Sequence, residues 1–173
     1  MNYATIKTHD VANGTGVRVS LFVSGCTHRC KGCFNAEAWD FSYGDLYTPE
    51  VEEAILQALE PSYIKGLSLL GGEPFEPQNQ PTVLGLCEKV KARYPEKTIW
   101  CYSGYDFERH ILAGKLGDPE ITDRLIHFID VLVDGEFVEA EKDLRLRFKG
   151  SANQRIIDVQ ASLAADEVIL WNN

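Results

Sequence analysis

Residues 17–35 read VRVSLFVSGCTHRCKGCFN. The first seven are β-branched and apolar, the pattern of a buried strand. The run stops at Ser24-Gly25, and three of the chain's five cysteines follow within eight residues, spaced C-x3-C-x2-C as Cys26, Cys30 and Cys33. A closed tetrahedral zinc site takes four ligands, and this loop supplies three. Three thiolates from one short loop can hold three irons of a 4Fe-4S cluster and leave the fourth iron open to a substrate. The competing reading is a structural zinc ion completed by His28 or His9. Zinc motifs more often show paired C-x2-C spacings, and only one such pair exists here, so the open cluster is preferred.

Outward from this loop the same unit recurs, a strand and then a helix. Thr48-Pro49-Glu50 begins a helix with a capping hydroxyl, a proline in the first turn and an acid near the positive end. It runs to about Leu59, with Val51, Ile55 and Leu59 on one face. Residues 66–70 (GLSLL) form a second strand that stops at Gly71-Gly72. A helix from about Pro81 to Tyr94 turns Val83, Leu86, Cys87 and Val90 inward. Thr98 to Tyr102 is a third strand, ending at Ser103-Gly104. Residues 123–129 read as a helix, and Asp130 to Val133 as a fourth strand ending at Asp134-Gly135.

Continuous apolar strands alternating with helices indicate an α/β domain, a parallel sheet covered by helices. No linker or repeat divides the 173 residues, so a single domain over residues 1–173 is expected. A complete eight-unit barrel needs about 250 residues, and this chain supports about five or six strands, so the expected architecture is a partial, open parallel β/α barrel. Active sites of such sheets lie at the carboxyl ends of the strands. The cysteine loop, Gly71-Gly72-Glu73-Pro74, Ser103-Gly104 and Asp134-Gly135-Glu136 all fall there.

Composition narrows the partners. With 17 basic and 26 acidic residues the formal net charge is -9, which argues against nucleic acid as the main partner. No apolar run approaches the ~20 residues that span a bilayer, and the N-terminus lacks the apolar core of a signal peptide. The cysteines are odd in number and clustered, unlike a disulfide framework. A cytoplasmic protein with reduced thiols is expected.

The aromatic Phe34 directly after the last cysteine makes the loop resemble the signature of the radical S-adenosylmethionine superfamily. The superfamily's second signature, GGEP after the second strand, stands at residues 71–74. The chain is more closely similar to one family, the activating enzymes of anaerobic ribonucleoside-triphosphate reductase. The matching features are Asn13-Gly14-x-Gly16, LFVSGC, GCFN, and GGEP followed by Pro77-Gln78-Asn79. DVLVDGEF at 130–137 and GSANQR at 150–155 complete them. The likeness covers about residues 1–160. The tail from Gln160 to Asn173, helix-like from Leu163 to Leu170, is longer than is usual for the family.

The resemblance implies an enzyme with a partial barrel of the radical S-adenosylmethionine type. Cys26, Cys30 and Cys33 would ligate the 4Fe-4S cluster, and S-adenosylmethionine would chelate the open iron. Gly71, Gly72 and Glu73 would receive the methionine ammonium, and Gly32, Cys33 and Phe34 would contact the adenine. An electron from a donor protein would break the sulfonium bond, and the resulting radical would take a hydrogen from one glycine of the reductase. Another radical enzyme of the superfamily, or a non-catalytic metal-binding module, is the alternative.

Plainer readings stand beside these. GGEP on its own suits a tight turn, and Phe34 suits a buried aromatic. Cys87 and Cys101 read as core thiols, and His9, His110 and His127 as surface or structural residues. His28 reads as an exposed loop residue. Glu136, Glu139, Glu141 and Lys142 read as a solvated charge run. Because glycines let a ligand approach the backbone, Gly72→Val is expected to keep its iron and lose cofactor affinity.

Overall fold

The computed structural model describes residues 1–172. The apolar run after Gly16 forms β2 (Val17–Val23), and its alternate residues part to opposite faces. Val19, Leu21 and Val23 enter a large core, joined by Leu67 and Leu69 of β4 (Ile64–Gly71) and by Ile99 and Cys101 of β5 (Thr98–Tyr102). Leu132 of β6 (Val131–Asp134) and Ile157 of β7 (Arg155–Asp158) extend the same face. Helices α1 (Pro49–Ala58), α2 (Gln80–Arg93) and α3 (Pro119–Phe128) cover it. Val83, Leu86, Cys87 and Val90 of α2 are fully buried, as their spacing predicts.

Strands β2, β4, β5 and β6 pair in parallel. The sheet nevertheless has seven strands and antiparallel margins. β1 (Asn2–Asp10) pairs antiparallel with β2, β3 (Asp45–Leu46) with β1, and β7 with β6. The order β3-β1-β2-β4-β5-β6-β7 does not close into a ring. The expected count of five or six strands in a parallel sheet is thus corrected: β1, β3 and β7 escape because half-exposed or very short strands lack a continuous apolar run. Helix α3 starts at Pro119, earlier than expected, because Asp118 caps it by accepting from Glu120 N at 2.9 Å.

The other face of the sheet carries different chemistry. Arg18 of β2 is fully buried there, donating to Ser68 Oγ (2.8 Å), Leu67 O (2.8 Å), and Thr98 O (2.7 Å) and Oγ1 (3.0 Å). Its guanidinium lies 5.7 Å from the Trp100 ring. Burial holds the Arg18 pKa down at about 10.

The tail completes this second core. Its helix, α4 (Val159–Ala165), is set earlier than the expected 163–170. Asp158 caps it by accepting from Ala161 N, and Asp166 ends it with φ 54°. The chain then runs back along the outer edge of β7: Asp158 N donates to Ile169 O and Trp171 N to Ile156 O, both at 2.9 Å. Trp171 packs 5.0 Å from Trp100, alongside Phe148. Asn173, the last residue of the expected tail, lies outside the described residues.

Candidate metal centre

The parallel strands all point their carboxyl ends at one cleft of about 530 Å³. Cys26, Cys30, Cys33 and Phe34 line it from the loop after β2, and Gly71, Gly72 and Glu73 from the end of β4. Ser103 and Gly104 follow from β5, Gly135 and Phe137 from the segment after β6. Gly32 does not line it and sits instead at the loop's outer turn, facing Glu139.

The cysteine loop is held by its backbone and by buried polar groups. Gly25 N donates to Ala38 O (2.8 Å), Cys26 N to Trp39 O (3.2 Å), and Cys33 N to Cys30 O (3.1 Å). Glu76 Oε1 accepts from both Thr27 N and Thr27 Oγ1 at 2.7 Å. Asn79 Nδ2 donates to Ser24 O and Glu73 O, both at 3.0 Å, tying β2 to the GGEP turn. A Cβ on Gly72 would stand 2.6 Å from Gly25 O and 2.9 Å from Ala38 O. That glycine is therefore required by backbone packing behind Cys26, which corrects the expectation that a side chain there would spare the cluster.

Glu73 is the polar centre of the cleft, only 1% exposed. Its Oε1 accepts from Phe75 N and Ser103 Oγ, both at 2.9 Å. Its Oε2 accepts from Gly104 N at 2.7 Å and His28 Nε2 at 3.0 Å. GGEP is thus a turn whose carboxylate fastens β4 to β5 and to the cysteine loop.

His28 is no exposed loop residue. Its side chain is 8% exposed, and Nδ1 donates to Glu136 Oε1 at 3.0 Å. Burial by itself would lower its pKa, but the hydrogen bonds and charges of Glu73 and Glu136 outweigh that and hold it up at about 9. Each ring nitrogen faces a carboxylate oxygen at 3.0 Å, an arrangement in which both are placed to donate. Phe34 also departs from the buried-aromatic reading. It is 62% exposed, its ring 5.2 Å from Phe137 and beneath Lys142 Nζ at 4.9 Å. Part of the expected solvated charge run therefore has partners: Glu136 on His28, Glu139 beside Lys31, Lys142 over Phe34.

The donor set suits a cluster better than one zinc ion. All five cysteines are free thiols; the three in the loop are partly exposed, while Cys87 and Cys101 are buried in the core. Burial and the Glu73 charge push the Cys26 thiol up to about 12, and burial raises Cys30. Such thiols bind metal only as protons leave. Among the described residues, no three ligand atoms of Cys26, His28, Cys30 and Cys33 lie within 4.8 Å of one another. Zinc–sulfur bonds of 2.3 Å at tetrahedral angles would bring sulfurs to about 3.8 Å. His28 is engaged by two carboxylates, and His9 bonds Tyr63 at the surface.

Sequence reasoning placed Ser103 and Asp134 at the strand ends but passed over Glu76, the inward role of His28 and the pairing of Arg155 with Asp106, Glu108 and Asp134. Asp106, Glu108 and Asp134 cluster as a cation site would. The guanidinium of Arg155 fills it, at 3.7, 2.6 and 2.5 Å from the three. Asp134 also accepts from Phe107 N at 2.9 Å, so the GSANQR arginine anchors the strand end that leads to Phe137. The one available signal was the pairing of a basic and an acidic residue in two separated motifs.

A family model described as 4Fe-4S single cluster domain matches residues 12–157, a span that contains the cysteine loop, GGEP and Arg155. The fold and cleft thus define an iron–sulfur protein. Curated relatives narrow the class. The anaerobic ribonucleoside-triphosphate reductase-activating protein of Vibrio cholerae is 45% identical over 158 residues, 90% of this chain and 97% of its own length. The protein of that name from Haemophilus influenzae is 43% identical over 90% of this chain and 97% of its own. That from Escherichia coli is 40% identical over 89% and 96%. The chain belongs to the family of anaerobic ribonucleoside-triphosphate reductase-activating proteins.

Proposed function

We propose that this protein activates an anaerobic ribonucleoside-triphosphate reductase by forming a radical on one of its glycines. The observation that carries the reading is the shared cleft, in which three free thiols face the GGEP turn at adjoining strand ends. The open sheet is read as the partial barrel of the radical S-adenosylmethionine type, and residues 1–173 as its single domain. Among the described residues no helix is long and apolar enough to cross a membrane, and free thiols suit a reducing cytoplasm.

In this reading Cys26, Cys30 and Cys33 hold the 4Fe-4S cluster. Gly71, Gly72 and Glu73 face the methionine part of S-adenosylmethionine, and Cys33 and Phe34 its adenine, with Gly32 shaping the turn behind them. When bound, cluster and cofactor supply one-electron chemistry: an electron from a donor protein releases methionine, and a glycine hydrogen atom ends up on 5′-deoxyadenosine. The chain's own residues orient rather than exchange protons. Glu73 keeps the β4 and β5 ends together, Glu76 and Asn79 fix the cysteine loop, and the exposed Phe34 with the half-buried Phe137 forms one wall. The sheet's open side leaves room for a polypeptide loop.

The test is anaerobic reconstitution with iron and sulfide, then addition of S-adenosylmethionine, a reductant and the cognate reductase. The expected result is 5′-deoxyadenosine together with a glycine-centred doublet in electron paramagnetic resonance. The doublet should lose its splitting when the glycine α-hydrogens are deuterated. Cofactor cleavage without a radical on a competent reductase would move the assignment to a small-molecule radical enzyme.

A further inference from the structure

His28 stands midway between Cys26 and Cys30, and metal ligation does not account for it. Its flanking residues Thr27 and Arg29 are exposed, yet its own ring is tucked inward against Tyr105, centroids 4.3 Å apart. A Cβ on Gly104 would stand 2.6 Å from His28 Cδ2, so the turn after β5 makes space for the ring. Of the four donors on Glu73, Phe75 N comes from the GGEP turn itself, and Ser103 Oγ and Gly104 N from the end of β5. The fourth, His28 Nε2, comes from the cysteine loop, and Glu136 takes the opposite nitrogen.

We propose that His28 is a positioning residue: it fastens the Cys26–Cys30 span to Glu73 and so sets that carboxylate's place relative to the cysteine sulfurs. Glu136 steadies the ring from the far side. The inference rests on the reading of the cleft as a cofactor site, and extends it to a residue of the cleft lining outside the assigned ligand and cofactor contacts.

Two substitutions separate the two ring contacts. The carboxamide of His28→Gln reaches as far as Nε2 and keeps a donor on Glu73. That of His28→Asn reaches only as far as Nδ1 and keeps a donor on Glu136. Both variants, reconstituted anaerobically, should carry wild-type iron. By equilibrium dialysis, His28→Gln should bind S-adenosylmethionine within about threefold of wild type. His28→Asn should lose about tenfold or more, the size expected when a hydrogen bond to a charged group goes. Without cofactor, trypsin should cleave the iron-loaded Asn variant after Arg29 faster than the Gln variant.

Glu136→Gln, at a side chain 59% exposed, supplies a well-folded cross-check should the Asn variant not fold. It should weaken binding about threefold in wild type, and have no effect in the His28→Gln background. Equal affinity and equal cleavage in the Asn and Gln variants would overturn the proposal, as would additive effects of Glu136→Gln. Loss of iron from His28→Asn would overturn it in favour of a ligand role. If wild type binds no S-adenosylmethionine while the tryptic order holds, the tether stands and the cofactor reading falls.

Discussion

Glu73→Gln puts the cleft's architecture to a quantitative test. The carboxylate offers two oxygens to four donors, two on each. An amide keeps one oxygen and turns the other into an NH2 group facing two donors. Whichever way it flips, two charge-assisted hydrogen bonds are lost inside a site 1% exposed. Each is worth about 1.5–3 kcal/mol, so with partial relaxation the loss is about 3–5 kcal/mol. Domains of this size are stable by about 5–15 kcal/mol. The melting temperature should fall by about 6–20 °C, at about 2–4 °C per kcal/mol. Anaerobic urea unfolding by circular dichroism, at matched iron content, measures it, with the exposed Glu60→Gln as control. A loss under about 1 kcal/mol would refute the four-donor arrangement, since even one unsatisfied buried donor costs more than that.

Cys26→Ala, Cys30→Ala and Cys33→Ala should each lose iron and visible absorbance after reconstitution, whereas Cys87→Ala and Cys101→Ala keep both; iron retained by Cys30→Ala would undo the ligand assignment. Gly72→Ala should lower iron content as well as cofactor affinity, because its methyl presses on the carbonyl before Cys26; normal iron would show that the backbone there yields. Arg155→Met strands Asp134, 2% exposed, without its cation, and should cost about 3 kcal/mol in a thermal melt. Arg155→Lys should restore only part of that, since an ammonium cannot repeat the two-pronged contact with Asp134, and full restoration would count against it.

The parallel centre of the sheet was legible because strands buried on both faces spell themselves out as apolar runs, as in VRVSLFV and TIWCY. The cysteine spacing was legible because ligand geometry restricts it directly. β1 was hidden by its exposure: Lys7, Thr8 and His9 face water, and antiparallel pairing with β2 is a fact of topology. His28 was misread for a related reason. Its inward turn is caused by Glu73 and Glu136, 45 and 108 residues away in sequence, and no local pattern encodes partners at that range. Gly72 was legible as a close approach, but which atoms approach it was settled by the folding of residues 25–38.

The tail that follows α4 has a consequence for solubility. Along the outer side of β7, Ile169 and Trp171 occupy the backbone groups of Asp158 and Ile156, and Leu170 bridges Ile157. A row of unoccupied amides and carbonyls beside isoleucines is a template on which another chain can add a strand. A version cut after Asp166 would keep every cysteine and the GGEP turn while baring that row and removing Trp171 from Trp100. Its failure would then show first as concentration-dependent aggregation, with the iron chemistry of the remaining monomer unchanged.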